Sequence, residues 1–154
     1  MPESRERTEE GRTPEAKEVA QPSAEEGLDE RLRLALHAAS EKKAHDLVVL
    51  DLREVASFTD YFVIASGTNV RQVQAVADAV QEQLRKQLGV KPARVEGYNT
   101  AEWVLLDYGD FIFHVFEEKS RRFYDLERLW RDAARVPVPS DVTGEGARSS
   151  RDEG

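Results

Sequence analysis

The sequence predicts an α/β domain, a mixed β-sheet flanked by helices, and three observations carry the prediction. The apolar runs Leu47–Leu50 and Tyr61–Ala65 are rich in β-branched and aromatic residues and read as buried strands. Val70, Val73, Val76, Ala77, Val80, Leu84 and Leu88 then recur at helical spacing as one apolar stripe. Glu102 to Phe116 reads as two strands joined at Tyr108-Gly109. Strands alternating with helices build a sheet covered by helices.

The first ordered element is a helix from Leu28 to about Ala44, in which Leu28, Leu32, Leu36 and Ala39 share a face. His45-Asp46 opens the strand Leu47–Leu50, which ends at Asp51-Leu52-Arg53, and a polar turn from Ser57 to Asp60 leads into Tyr61–Ala65. Ser66-Gly67-Thr68-Asn69 breaks that strand and caps the helix Asn69 to Leu88, which stops at Gly89. This helix reads as a right-handed crossover between parallel strands. Arg94–Glu96 is a short strand and the hairpin gives two more. Tyr124 to Ala134 reads as a last amphipathic helix through Leu126, Leu129, Trp130 and Ala133, with Tyr124 and Trp130 in the core and Arg121, Arg128 and Arg131 on its wet side.

With Tyr108-Gly109 as a two-residue loop, Asp107 faces Asp110, Leu105 faces Ile112 and Trp103 faces His114. One face is then Val104, Leu106, Phe111, Phe113 and Val115, wholly apolar and suited to a core. The other mixes Trp103, Leu105, Asp107, Asp110, Ile112, His114 and Phe116, with like charges opposed, an arrangement that cross-strand rules disfavour. Such a face suits a binding surface; polar turn residues capping a buried strand pair explain it equally well. Tyr-Gly is a poorer tight-turn dipeptide than Asn-Gly, and a longer Asp107 to Asp110 loop would change the pairing.

A chain of 154 residues holds one ordinary domain. Residues 1–27 carry eight acids against four bases with few large apolar side chains, and residues 137–154 carry four acids and two bases among prolines, glycines and serines. Both read as disordered tails around a domain at 28–136. The tails account for −6 of the formal charge of −8, so the domain is nearly neutral at −2. Within it, Pro92 to Glu118 holds six acids and one base, whereas Lys119 to Arg135 holds six bases and three acids. The hairpin is therefore a local acidic patch, which repels nucleic acid and favours a basic partner.

The chain has no cysteine, which removes disulfides, thiol nucleophiles and thiolate zinc sites. No apolar run approaches the ~20 residues of a membrane span, and no secretory or transit signal opens the chain. A cytoplasmic protein with no membrane and no specific DNA binding is the expectation. His37, His45 and His114 are scattered and form no metal pair at helical spacing. Ser66 to Asn69 before a helix is a weak phosphate cradle, lacking the glycine spacing and lysine of the known phosphate loops. With nearby carboxylates for metal it gives the alternative reading of a nucleotide-dependent transferase. Asp107 and Asp110 as an acid and base pair lack an adjacent nucleophile.

Several segments together resemble a known family. They are Lys42–Asp51 (KKAHDLVVLD), Thr59–Thr68 (TDYFVIASGT), Arg71–Val73, Val95–Gly97, Glu102–Asp110 (EWVLLDYGD), His114–Phe116 and Arg121–Trp130 (RRFYDLERLW). In this order, across about residues 28–136, they resemble the ribosomal silencing factor family, also called RsfS or Iojap. The resemblance implies a nucleotidyltransferase-like topology without the catalytic carboxylates, usually as a homodimer, with no enzyme activity and no cofactor or metal. It also implies binding to the L fourteen protein on the large ribosomal subunit, a block on small-subunit joining, and lowered translation under nutrient limitation. Carried onto this chain, the contact surface is Glu102, Trp103, Asp107, Tyr108 and Asp110, with Glu96 and Tyr98 beside them, and Trp103 as the aromatic anchor among acids.

Overall fold

The computed structural model describes residues 29–143, within which a six-stranded mixed sheet has helices on one face and a partial cover on the other. The elements are α1 (Glu30–Glu41), β1 (His45–Asp51), β2 (Tyr61–Gly67), α2 (Val70–Leu88), β3 (Arg94–Glu96), β4 (Trp103–Asp107), β5 (Phe111–Glu117), α3 (Glu118–Tyr124), α4 (Leu126–Leu129), β6 (Ala134–Val136) and α5 (Ser140–Thr143). The strand order is β3-β4-β5-β2-β1-β6. Neighbours are antiparallel except β2 and β5, which run parallel from Tyr61 opposite Phe111 to Gly67 opposite Glu117. Helix α2 links β2 to β3, and the ladders give those two strands the same direction, so it is a crossover between parallel strands.

Capping fixes the helix ends. Asp29 accepts from the Leu32 amide at 3.0 Å to start α1, and Asn69 accepts from the Gln72 amide at 2.8 Å to start α2. Gly89, in the left-handed region at φ +67°, ends α2 and donates its amide to the Arg85 carbonyl. The small residues Ala35, Ala38 and Ala39 on α1 let it pack closely on α2. Their shared face, with Val73, Val76, Ala77, Val80 and Leu84, covers Val63, Ala65, Val104, Leu106, Phe111, Phe113 and Val115 of the sheet. Each such large side chain contributes about 1.5–3 kcal/mol on burial. The apolar hairpin face is therefore where the alternation put it.

The opposite face carries a second, smaller core. Leu50, Leu52, Phe62, Ile64, Ile112 and Phe116 pack with Leu126 and Ala133 from the region of α4. The cover stops there. Phe58, Phe123, Tyr124 and Leu129 stay exposed around it.

The hairpin register departs from the expected one. Trp103 faces Phe116, Leu105 faces His114 and Asp107 faces Ile112, so the two-residue loop is Gly109-Asp110, closed by the Tyr108 amide donating to Phe111. Gly109 supplies a φ of +89° at the first loop position. The loop is held from outside the hairpin: Thr59 Oγ1 donates to the Gly109 carbonyl, and the Asp60 and Tyr61 amides donate to that of Asp110. A shift of two residues keeps every side chain on its expected face while separating Asp107 from Asp110.

The last helix departs too. Asp125, at φ +50°, breaks the segment into α3 and α4, and Ala134 belongs to β6 on the outer edge of β1. Ser66 and Gly67 continue β2 rather than breaking it. Past residue 136 the chain runs on through α5, where Val142 is buried and its carbonyl accepts from Ser40 Oγ on α1. Residues 1–28 and 144–154, with the tail expectations that fall on them, lie outside the described residues.

Candidate functional site: an aromatic series beside acidic strands

The period-two alternation of β4 and β5 puts Trp103, His114 and Phe116 on one face, and their rings meet. Trp103 stacks on Phe116 at 4.8 Å and 29°, and Tyr124 lies 4.9 Å from it at 49°. The Trp103 Nε1–H donates to His114 Nδ1 at 3.0 Å. His114 meets Phe62 edge-on at 4.5 Å, and Phe62 meets Trp130 and Phe58 at 5.7 and 6.0 Å. At the other end Phe123 stands perpendicular to Tyr124 at 5.0 Å. The rings form an unbroken series across the sheet, wet at its ends and at the half-buried Trp103.

His114 is buried to 2 % exposure, and burial pushes its pKa down to about 3. It is a neutral imidazole at physiological pH. Because an indole nitrogen only donates, Nδ1 must accept and the proton sits on Nε2, which makes no hydrogen bond among the described residues.

Beside the rings lie the acids. Opposed residues share a face, so Arg94 and Asp107, and Glu96 and Leu105, bring β3 onto the Trp103 face. Arg94 bonds Glu96 at 2.8 Å and Asp107 at 3.2 Å, while Asp107 also accepts from the Gly109 amide at 2.9 Å. Asp110 instead points to Arg31 of α1 at 3.0 Å. Exposed Glu102 has no side-chain hydrogen bond or ion pair among the described residues. The acidic patch is thus partly neutralised by its own chain.

Of the residues assigned to the contact surface, the fold gathers Glu96, Trp103 and Asp107 on one face. Asp110 sits in the hairpin loop. Tyr98 donates its hydroxyl to Asp78 of α2 at 3.0 Å. Tyr108 is buried on the helix-covered face, stacked on Phe111 at 4.9 Å and 13°, and burial pushes its phenol up to about 12. The residues that sequence reading left out are Arg94, which appeared only as the lone base, and Phe58, Phe62 and Tyr124, which alternation along one strand cannot relate to Trp103.

In the Ser66 to Asn69 segment the donors of Thr68 are occupied. Gln72 Oε1 accepts from both the amide and the hydroxyl of Thr68, at 2.6 and 2.9 Å, and the Gln72 amide is taken by Asn69. Ser66 Oγ accepts from Arg121 at 2.7 Å. Arg121, expected on a wet helix face, is 11 % exposed and also bonds Glu127 and the Asp46 carbonyl at the floor of a 620 Å³ cleft. Burial works to raise the Glu127 carboxyl, and Arg121 with Arg135 outweighs it, holding it below the usual range. Arg121, Glu127 and Arg135 are thus paired with one another in that cleft. Among the described residues no three His, Asp or Glu side chains converge as metal ligands, and no helix is long and apolar enough to cross a membrane.

Comparison with known proteins bears on this arrangement. The family model described as "Ribosomal silencing factor during starvation" matches residues 25–153. A Halalkalibacterium halodurans protein named ribosomal silencing factor RsfS is 41% identical over 114 residues, 74% of this chain and 97% of the relative. Its Bacillus subtilis namesake is 39% identical over 102 residues, 66% of this chain and 86% of the relative. The chloroplastic protein Iojap of Zea mays is 33% identical over 107 residues, 68% of this chain but 45% of that longer protein. A crystal structure of a Chromobacterium violaceum protein aligns with a TM-score of 0.64 at 38% identity, covering 66% of this chain and 84% of the other. One from Bacillus halodurans aligns with a TM-score of 0.62 at 38% identity, covering 70% and 96%.

Proposed function

The chain belongs to the ribosomal silencing factor family, and on that premise we propose that it binds the L fourteen protein of the large ribosomal subunit, blocks joining of the small subunit and represses translation under nutrient limitation. Silencing of the ribosome makes it a regulator rather than a catalyst. The observation that carries the finer reading is Trp103, half-buried and clamped by Phe116, Tyr124 and His114, on the same face as Asp107 and Glu96. A rigid aromatic anchor rimmed by carboxylates fits a basic ribosomal protein, with Glu102 as the acid free to pair. Asp110 and Tyr98, turned toward Arg31 of α1 and Asp78 of α2, join this reading from the helix side of the sheet rather than from the Trp103 face, as does buried Tyr108.

The same reading includes self-association as a homodimer. Its support is the exposed apolar set Phe58, Phe123 and Leu129, more than a lone soluble domain needs on one face.

Light scattering of small and large subunits mixed with the protein tests the proposal. Added wild-type protein should lower the association signal in proportion to occupancy, and Trp103→Ala should restore it. Subunits that join equally well with saturating protein would refute the block.

A further inference from the structure

Taking that surface as the premise, we infer that His114 is a positioning residue for Trp103: it takes up the indole N–H and fixes the ring as a π surface for a cationic side chain of the partner. The indole has one polar atom, Nε1, and its hydrogen is given to His114 Nδ1 at 3.0 Å. Trp103 therefore meets a partner without a donor to offer. What it presents is its ring face and carbon edge, and a Lys or Arg head over an indole face is the contact that rewards such a surface. Glu102 beside it in sequence, and Asp107 on its face, favour the same cation.

His114 is built to hold that orientation. It is 2 % exposed, gripped edge-on by Phe62 at 4.5 Å and parallel to Phe116 at 6.2 Å and 16°. Its Nε2–H is buried and makes no hydrogen bond among the described residues, which costs the desolvation of that group. A leucine or phenylalanine would fill the space between Phe62 and Phe116 without that cost. The bond to Trp103 is the one interaction in the site that needs an imidazole. A ring held in its bound orientation loses less freedom on association, so the bond contributes to recognition through pre-organisation.

Two full-length variants test this. His114→Leu removes the acceptor at similar volume, and His114→Asn keeps an oxygen where Nδ1 stood. The chain has two tryptophans, so the indole N–H region of a ¹⁵N spectrum holds two signals, and Trp103→Phe assigns them. His114→Leu should move the Trp103 indole signal, speed its exchange with water and weaken binding to purified large ribosomal subunits about tenfold, mostly through faster release. His114→Asn should keep the protected indole and bind within about twofold of wild type. Should the Leu variant not fold, His114→Phe serves in its place. If Trp103→Ala abolishes binding while a folded His114→Leu or His114→Phe, its indole exchanging freely, binds as wild type, His114 is a packing residue and the inference is wrong. If Trp103→Ala itself binds as wild type, the surface reading fails and takes the inference with it.

Discussion

Arg94 and Asp107 stand opposite one another on β3 and β4 and close an ion pair of 3.2 Å, so a carboxylate on the acidic sheet face is held by a base of its own chain. Arg94 also reaches Glu96 at 2.8 Å. The pairs are open to solvent on the arginine side, where screening leaves about 0–1 kcal/mol each. Arg94→Ala should therefore change the urea midpoint little, while releasing both acids and making the face more negative. Stopped-flow association with large subunits at low salt should be faster than wild type by a few-fold, the gain fading as salt rises. An equal or slower rate at low salt would remove Asp107 and Glu96 from the recognition surface.

The buried imidazole of His114 gives the fold an acid weakness. Its folded pKa, about 3, lies below its unfolded value, so only the unfolded chain takes up the proton as pH falls. This contribution is whole above the unfolded value of about 6.5 and is lost progressively below it, about 2–3 kcal/mol by pH 4.5. Urea unfolding at pH 7 and pH 4.5 reads the loss. In His114→Asn, whatever its stability at pH 7, the fall between the two pH values should be smaller by about that amount.

Gly97 backs the site from the loop between β3 and β4. Its φ is +76°, and a Cβ there would lie 2.1 Å from the Trp103 carbonyl oxygen. Backbone strain and the clash act together, so Gly97→Ala should cost about 1–3 kcal/mol. It should also disturb the Trp103 indole signal, which a loss of stability without local displacement would not do.

On the helix-covered face, Phe113 is fully buried among Val, Ala and Phe side chains. Phe113→Ala should cost about 3–5 kcal/mol by chemical denaturation. Phe123→Ala, at a ring 80% exposed, should leave stability within about 0.5 kcal/mol of wild type.

Which side chains share a face was legible because strand alternation has a period of two, and the faces of Val104 to Val115 came out as read. The register was not legible: the carbonyls of Gly109 and Asp110 are held by Thr59, Asp60 and Tyr61, some fifty positions earlier in the chain. The α3–α4 break follows from Asp125 adopting a left-handed φ, which an apolar stripe does not signal, and from Arg121 turning inward to Ser66 and Glu127. Trp103 and the acids around it were recognisable from local sequence. Their partners Arg94, Arg31 and Tyr124, and the Phe62 ring against His114, were not, because ion pairs and ring contacts between elements are set by tertiary packing.

Sedimentation of the protein with purified large ribosomal subunits at low salt tests the central claim most directly. Wild type should pellet with the subunits, and Trp103→Ala and Glu102→Lys, each folded by circular dichroism, should bind at least about tenfold more weakly, as loss of a hot spot and reversal of a rim charge require. Wild type remaining in the supernatant, or both variants pelleting as wild type does, would contradict it.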